Sequence, residues 1–409
     1  MTAVVPLAPG RPVAAFGAGL FMRLLSSSWT HGRLTVTLPD GSEHHLEGRE
    51  PGRSAVMVIS DWRSVRRAIV GGDIGFAEGY MAGEWDSPHL ATLLEAFADN
   101  YDRLSRLVDG NPVLNAVNRV AHGLNRNSRR GSQRNIHAHY DLGNAFYGAW
   151  LDPSMTYSAA RFSTAEQSLE QAQKAKYARL ASIMDLRRDQ TVLEIGCGWG
   201  GFAEYAAREV GAQVTAITIS REQHDFARRR MHEAGLSERA DIQLIDYRDV
   251  QGRFDRVASI EMFEAVGEQY WPDYFATLRR VLVPGGRAGL QIITIRDDLF
   301  EGYRRRPDFI QKYVFPGGML PSEPRLQPVI AGAGLDWDIT ERFGGDYAAT
   351  LDQWGRRFEA AWAGIAAGGR FDVRFRRLWL FYLAYCEAGF RSGRTDVIQI
   401  GLSAAGDGG

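Results

Sequence analysis

Four closely spaced glycines follow a short apolar stretch near the middle of this 409-residue chain. The stretch Thr191–Ile195 runs into Gly196, Gly198, Gly200 and Gly201, where a helical pattern begins. A glycine-rich turn between a strand and a helix lets a ligand lie against the backbone at the N-terminus of the helix. The spacing also satisfies the dinucleotide fingerprint, so the glycines alone do not identify the ligand.

The residue that discriminates between ligands is Glu194, two positions before the first glycine. A carboxylate there would repel a pyrophosphate, whereas it suits a cationic or amine-bearing ligand such as S-adenosylmethionine. We therefore predict a pocket for a nucleoside joined to an amino acid, bound by Glu194, Gly196, Gly198 and Gly200. A tight turn without a ligand is the alternative.

The second and third predicted strands end in side chains that suit a nucleoside. Thr218, Ser220 and Gln223 follow the second strand, and their hydroxyl and amide groups can bond ribose hydroxyls. Asp246 and Tyr247 follow the third strand. There the ring can stack on an adenine while the carboxylate accepts a hydrogen bond from the exocyclic amine.

The fourth predicted strand ends in two acids, Glu261 and Glu264, within a half-apolar turn. Two carboxyl groups at the ligand edge of a sheet indicate chemistry more often than structure, because their environments can shift their pKa values. We therefore predict that this turn contributes to a reaction.

These residues all lie where strands end in a region of alternating strands and helices that begins near residue 136. Such alternation predicts an α/β fold: a mostly parallel, Rossmann-like methyltransferase sheet with helices on both faces and ligands at the carboxyl ends of the strands. The predicted strands are 191–195, 213–219, 242–246, 254–260 and 287–295.

The region before residue 122 has a different pattern, in which short strand-like and helical runs are separated by turns. It predicts a smaller N-terminal α+β domain over 1–121. The polar segment 122–135 contains four arginines and predicts a basic linker to the methyltransferase domain, 136–409. The arginines are either solvated or contact anionic lipid headgroups; they are Arg126, Arg129, Arg130 and Arg134.

Composition excludes several classes of protein. The formal net charge of −1 does not predict nucleic-acid binding, and two cysteines, Cys197 and Cys386, do not make a disulfide scaffold or a metal clip. Residues 1–10 lack the pattern of a secretory signal, and no apolar run approaches the roughly 20 residues of a membrane span. We therefore expect a cytoplasmic protein.

Motifs along nearly the whole chain resemble those of the cyclopropane-fatty-acyl-phospholipid synthases. They occur in the same order as in that family, in both predicted domains. The matching segments are 71–86, 136–147, 150–152, 155–158, 192–201, 262–267, 313–317 and 343–347.

The resemblance implies an S-adenosylmethionine-dependent enzyme that alkylates the double bond of an acyl chain in a membrane phospholipid. It adds Tyr157 and Ser158 to the predicted cofactor site. It also implies peripheral association with the inner face of the membrane, with 1–121 as a lipid- or substrate-associated domain, and it is compatible with a homodimer.

The resemblance further implies a bound bicarbonate as the base, held by five residues. Three of the family's residue types are present, as Glu264, Ile293 and Tyr347. Ala159 stands where the family has cysteine, and Gln291 stands where it has histidine. Ala159 keeps a backbone N–H but loses the thiol, and glutamine cannot carry charge. We therefore expect a weaker or rearranged anion site.

The product depends on which proton the carbocation loses. Loss from the added methyl group closes a cyclopropane, which is the product we predict, while loss from a neighbouring chain carbon leaves a methyl-branched alkene as the alternative. A methyltransferase for small molecules and a non-catalytic lipid-binding relic of the fold are rival interpretations. The former does not account for the N-terminal domain, and the latter does not account for Glu264 and Tyr347.

Aromatic residues recur at roughly helical spacing towards the C-terminus, interleaved with arginines. The pattern is typical of a helical core with a solvated arginine face. We predict that a minority of these side chains line the acyl chain or meet headgroup phosphate. The aromatic residues are Trp354, Phe358, Trp362, Phe371, Phe375, Trp379, Phe381, Tyr382 and Tyr385.

Overall fold

The computed structural model describes residues 13–108, 142–164 and 166–404. The chain divides into two compact units, Met1–Asn115 and Ala116–Gly409. The predicted linker 122–135 lies outside the described residues, and so do its four arginines. Among the helices within the described ranges, none is long and apolar enough to cross a membrane.

The first unit has a four-stranded sheet and helices, the α+β arrangement that the mixed pattern predicts. The sheet order is β2-β1-β3-β4, with β1 and β3 parallel and the other pairs antiparallel. The elements are α1 (Val13–Ser28), β1 (His31–Thr37), β2 (Glu43–Glu47), β3 (Glu50–Ile59), α2 (Arg63–Met81), β4 (Trp85–Asp86), α3 (Leu90–Asp99) and α4 (Tyr101–Val108).

Trp85 anchors the core of this unit. Its side chain is fully buried, stacks on Phe76 with ring centroids 4.2 Å apart, and donates a hydrogen bond from Nε1 to the Phe76 carbonyl. A fully buried tryptophan needs such an acceptor for its N–H. Asn100 connects the start of the sheet to the helices, since its Oδ1 accepts from the backbone N–H groups of Thr30 and His31.

The second unit has seven strands in the order β10-β11-β9-β8-β5-β6-β7. The strands are β5 (Thr191–Ile195), β6 (Gln213–Thr218), β7 (Ala240–Leu244), β8 (Phe254–Ile260), β9 (Leu282–Ile295), β10 (Leu335–Arg342) and β11 (Thr395–Ala404). Neighbours from β9 to β7 are parallel, whereas β10 and β11 are antiparallel additions. The predicted mostly parallel sheet is therefore confirmed, and β9 is longer than predicted.

Helices cover this sheet, and buried apolar residues form two clusters against it. The helices are α5 (Asn144–Gly148), α6 (Leu169–Ile183), α7 (Gly201–Tyr205), a π-helical turn (Ala206–Val210), α8 (Arg221–Glu233), α9 (Trp271–Val281), α10 (Asp297–Arg305), α11 (Phe309–Tyr313), α12 (Glu323–Gly332), α13 (Gly344–Ala367) and α14 (Val373–Arg391).

The register of the parallel strands places the predicted site residues at one edge. Glu194 on β5 pairs with Ala216 on β6 and with Ala258 on β8. The carboxyl ends of these three strands therefore lie side by side, at the edge where α/β sheets bind ligands. On β9, Gln291 pairs with Ile260, the last residue of β8.

Candidate active site

The glycine turn after β5 holds an open stretch of backbone. The N–H groups of Gly196 and Cys197 both donate to the Ile217 carbonyl, at 3.0 and 2.9 Å. At Gly196, where φ is +81°, a Cβ would lie 2.6 Å from Met262 Cγ. At Gly198, where φ is +52°, nothing lies within 4 Å of a Cβ position. Glycine is thus needed at position 196 because Met262 lies too close for a side chain. Gly198 leaves room for a ligand beside the backbone.

Glu194 carries a buried carboxyl group with spare bonding capacity. The residue is 3% exposed, and its Oε2 has no hydrogen-bond partner among the residues that the structure describes. Burial raises the pKa of Glu194 to about 8, although the positive charges of Lys176 and Arg230 oppose the shift. A buried acceptor of this kind, four residues before the open backbone at Gly198, fits the cationic S-adenosylmethionine.

The predicted ribose-binding side chains form one small hydrogen-bonded group after β6. Thr218 Oγ1 donates to Gln223 Oε1 at 2.9 Å and accepts from the Ser220 N–H at 3.1 Å. Ser220 Oγ accepts from the Gln223 N–H at 3.4 Å and so caps α8. All three residues are buried. The structure therefore brings these three residues together, and their bonds to a ribose stay a prediction.

The predicted adenine-binding pair has protein partners. Arg248 donates to both carboxylate oxygens of Asp246, at 2.8 and 2.6 Å. The Tyr247 ring packs edge-on against Tyr274, with centroids 5.4 Å apart. Burial raises the pKa of Tyr247 to about 12. An adenine amine would share the Asp246 carboxylate with Arg248, so these contacts stay a prediction.

Glu261 lies at the centre of the predicted anion site. Its Oε1 accepts from the Ala159 N–H at 2.8 Å and from Gln291 Nε2 at 2.7 Å. Its Oε2 accepts from the Tyr347 hydroxyl at 2.7 Å. Burial raises the pKa of Glu261, and the positive charge of Lys176 and the three donors oppose that shift. The carboxylate form thus has more support than burial alone would allow.

Glu264 has fewer partners. Its Oε1 accepts from the Ile293 N–H at 2.5 Å, and its Oε2 has no hydrogen-bond partner among the described residues. Burial, followed by the negative charge of Glu261, raises the pKa of Glu264 to about 8. Two neighbouring buried carboxyl groups cannot both ionise easily. At neutral pH we therefore assign the charge to Glu261 and the proton to Glu264.

Lys176 was not predicted from the sequence. It is fully buried and donates from Nζ to Ser158 Oγ at 2.6 Å. Burial lowers its pKa to about 7, and the nearby charges of Glu261, Asp152 and Glu194 oppose that shift. Its position could have been found from helical spacing, because Lys176 falls in the series of buried residues that recur every three or four positions along α6. These residues are Leu169, Ala172, Gln173, Lys176, Tyr177, Leu180 and Ala181.

Gln399 on β11 was also missed. Its Nε2 donates to Gln291 Oε1 at 3.0 Å, and this bond turns the Gln291 Nε2 towards Glu261. Both glutamines are buried. Sequence reasoning identified no strand at 395–404, so nothing placed Gln399 beside the site.

Tyr157 belongs to an aromatic wall formed by the segment 142–164 and the two C-terminal helices. Its hydroxyl lies 2.6 Å from that of Tyr382, and its ring lies 5.2 Å from the Trp354 ring and 5.6 Å from the Trp150 ring. Most of the predicted aromatic residues pack within this core, as expected for buried helix faces. Val373 at the start of α14 is 65% exposed and Arg374 is also exposed.

Comparisons with known proteins identify the family of the chain. Residues 127–400 match the model of the family described as mycolic acid cyclopropane synthetase. The chain belongs to this family. The tuberculostearic acid methyltransferase UfaA1 of Mycobacterium tuberculosis is 38% identical over 96% of this chain and 92% of its own. The cyclopropane-fatty-acyl-phospholipid synthase of Escherichia coli K12 is 33% identical over 90% of this chain and 95% of its own.

Solved structures of the family show the same architecture. The cyclopropane synthase MmaA2 from Mycobacterium tuberculosis has a TM-score of 0.62 and 29% identity, covering 66% of this chain and 98% of its own. The mycolic acid cyclopropane synthase CmaA1, solved with SAH and CTAB, has a TM-score of 0.62 and 28% identity over the same fractions. This chain is therefore an S-adenosylmethionine-dependent methyltransferase of the cyclopropane synthase family, which modifies acyl chains.

Proposed function

We propose that this enzyme transfers a methyl group from S-adenosylmethionine to the double bond of an unsaturated acyl chain in a membrane phospholipid. The observation that carries the proposal is the half-buried Glu261, whose carboxylate accepts from three donors at the same sheet edge as the glycine turn. A base at this edge is what alkene methylation requires, because the carbocation that it forms must lose a proton. The Escherichia coli relative, named for a fatty-acyl-phospholipid substrate, supports the choice of lipid.

The residues around the site suit a reaction with a weak nucleophile. When bound, S-adenosylmethionine supplies a methyl group on a positively charged sulfur. An alkene attacks such a group only if both are held in line and water is kept out. Ala159, Gln291 and Tyr347 are buried around the half-buried Glu261. The ring of Tyr347 lies among those of Trp354 and Phe390, with centroids 6.1 and 4.4 Å away. Such rings stabilise a nearby cation through their π faces.

We propose a methyl-branched alkene as the product, in place of the cyclopropane predicted from the sequence, which stays untested. The support is that UfaA1, which matches nearly the whole chain, is named as a methyltransferase, as is the sphingolipid C9-methyltransferase A of Emericella nidulans, 33% identical over 67% of this chain. The rearranged anion site agrees, because the position of the base decides which proton leaves. A cyclopropane is the second candidate, favoured by the family model and by the relatives named for ring formation.

The test is product analysis after expression in a host that lacks its own enzyme of this family. We expect a new fatty acid, one CH₂ heavier than an unsaturated host acid. A branched alkene takes up hydrogen under mild hydrogenation and a cyclopropane does not, so gas chromatography with mass spectrometry separates the two. Purified enzyme that binds S-adenosylmethionine but leaves unsaturated phospholipid vesicles unchanged would contradict the proposed function; vesicles of saturated lipid are the matched control.

We also propose that the enzyme binds the inner surface of the membrane peripherally from the cytoplasm, with the first unit as its lipid-associated domain. The support is that the substrate is embedded in a bilayer and that 71–86 resembles the substrate domain of the family. Flotation of the full chain with anionic and with neutral vesicles tests this. If the protein floats with neither kind of vesicle, peripheral membrane binding is contradicted. Light scattering of the same protein sample tests for the homodimer.

A further inference from the structure

The groups that the family resemblance assigns to bicarbonate already have partners within this chain. The Ala159 N–H, the Gln291 side chain and the Tyr347 hydroxyl all donate to Glu261, at 2.7 to 2.8 Å. The Ile293 N–H donates to Glu264. All the expected donors are thus satisfied by two glutamates.

These residues do not fit a bicarbonate ion. Ala159, Gln291 and Tyr347 are 0%, 1% and 6% exposed, so an added anion would have to displace the Glu261 carboxylate. It would then place a second negative charge beside Glu261 in a buried site, where like charges repel strongly. Ala159 also lacks the thiol that the family uses. These residues therefore leave no place for a bicarbonate ion.

The backbone holds Glu261 in this place at a conformational cost. Its φ is +47°, in the left-handed region that residues with a side chain rarely adopt. Its N–H donates to the Gln291 carbonyl at 2.8 Å, so Glu261 and Gln291 are linked through both backbone and side chain. Strain that persists because the surroundings enforce it is characteristic of functional positions.

A second layer of residues fixes the donors. Gln399 orients the amide of Gln291, and the N–H of the neighbouring Ala160 donates to Thr350 Oγ1 at 3.1 Å. Lys176 adds a positive charge that favours the carboxylate form of Glu261. The carboxylate is thus preorganised by groups from several separate segments of the chain, which is what a base of fixed position requires.

We propose that the Glu261 carboxylate is itself the base, in place of bicarbonate, so that this enzyme works without that ion. The inference rests on the proposed function. The alkene π electrons form the bond to the methyl group, and the C–S electron pair stays on the sulfur, which becomes a neutral thioether. Glu261 then takes a proton from the carbocation. The C–H electron pair forms the new double bond, or the ring bond of the second candidate, and the proton leaves the carboxyl group before the next turnover.

The first test is bicarbonate dependence of the unmodified full chain. Its rate on vesicles of a mono-unsaturated phospholipid is measured in buffer stripped of carbon dioxide, with and without added sodium bicarbonate. We expect the two rates to agree within about twofold. A rate that falls on depletion and returns with bicarbonate would overturn the proposal.

The second test removes the base. Glu261→Gln should slow turnover by about 10²-fold or more, as expected for loss of a general base, with little change in S-adenosylmethionine affinity. Glu261→Ala should also be slow. Added formate or bicarbonate should raise the rate of this variant by at least about tenfold, because the small anion can occupy the space left by the side chain. Asp255→Asn is the matched control, because Asp255 lies at the opposite end of β8 and bonds Thr191.

The outcomes separate the two proposals. Full activity of Glu261→Gln would overturn the assignment of the base but would leave the methyl-transfer function intact. If Glu261→Gln does not fold, the bicarbonate test on the unmodified chain decides. An unmodified chain that binds S-adenosylmethionine and makes no product from any unsaturated lipid would overturn the proposed function, and with it the role of Glu261.

Discussion

The two sides of the sheet edge in the second unit treat their buried carboxyl groups differently. On the cofactor side, Glu194 has an oxygen without a hydrogen-bond partner among the described residues, next to the open backbone at Gly198. On the acceptor side, both oxygens of Glu261 are bonded by groups of the chain itself. A site for a charged ligand leaves bonding capacity for that ligand, whereas a base that the protein supplies must be held in place beforehand.

The same contrast exists within the acceptor side. Glu261 has three donors and the nearby charge of Lys176, whereas the Oε1 of Glu264 accepts from the Ile293 N–H and its Oε2 has no hydrogen-bond partner among the described residues. Different environments push the pKa values of two carboxyl groups apart and so give them different roles. Glu261 is suited to accept a proton, and neutral Glu264 is suited to position the end of β9.

The largest expected effect is a loss of cofactor affinity on the side of Glu194. Gly196→Ala places a Cβ against Met262 and forces alanine into a left-handed conformation, so we expect S-adenosylmethionine affinity to fall by about 10²-fold or more. Isothermal calorimetry measures this. The matched control is Gly235→Ala, with φ of +69° and nothing within 4 Å of its Cβ. It should lose about 1–2 kcal/mol of stability and keep its affinity. Equal affinity in both variants would contradict the assignment of the turn.

The next effect tests the acceptor side. Tyr347→Phe removes a donor that lowers the pKa of Glu261, so turnover should fall by about tenfold or more and the acid limb of the pH profile should move to higher pH. The ionisable groups around Glu261 are Lys176, Glu264, Tyr347 and Cys386; burial raises the pKa values of Tyr347 and Cys386, so both stay neutral over this limb.

Glu264→Gln is the comparison for that variant. With a pKa of about 8, Glu264 is mostly protonated at pH 7, and an amide resembles its neutral form. We therefore expect the rate at pH 7 to stay within about threefold of the unmodified enzyme. A loss as large as that of Glu261→Gln would show that the two glutamates share the charge.

Sequence reasoning predicted the parallel sheet, because period and turn signals are local. The glycine turn, Glu194 and the ends of β5 and β6 are also defined by a few consecutive residues, which is why they could be singled out, and their contacts with the cofactor stay a prediction. The role of Glu261 was beyond that reasoning, although the residue was recognised as an acid at the ligand edge. Its donors lie 102, 30 and 86 positions away, and no local pattern states that they converge.

A third prediction concerns proton linkage on the cofactor side. Burial raises the pKa of Glu194 to about 8, so its carboxyl group is about nine-tenths protonated at pH 7. If the cationic ligand binds the carboxylate, binding must release that proton, and affinity should fall nearly tenfold from pH 7 to pH 6. The charged and titratable groups that face Glu194 are Lys176, Tyr177, Cys197 and Arg230.

Calorimetry in two buffers of different ionisation enthalpy measures the released protons. We expect between about half and one proton per ligand at pH 7, because a charged Glu194 also favours proton uptake by Lys176. Glu194→Gln is the control and should abolish the release. An affinity that does not change between pH 6 and pH 8 would show that Glu194 does not meet the charge of the ligand.

The smallest expected effect comes from Gln399, which acts on Glu261 only through Gln291. Gln399→Met leaves Gln291 Oε1 without its donor, so the Gln291 amide is less firmly held towards Glu261. The substitution also removes the bond from Gln399 Nε2 to the Lys176 carbonyl, which lies outside the contacts of Glu261. Loss of the bond to Gln291 costs about 1 kcal/mol, which corresponds to a rate loss of about three- to tenfold. Because a weaker bond from Gln291 stabilises the carboxylate less, the acid limb of the pH profile should also move to higher pH.

Gln213→Met, on the exposed first residue of β6, is the matched control and should change neither the rate nor the pH profile. A slower Gln399→Met enzyme with an unmoved pH profile and unchanged cofactor affinity would mean that Gln399 supports only the packing of β11, and that Ala159 and Tyr347 suffice to hold the base.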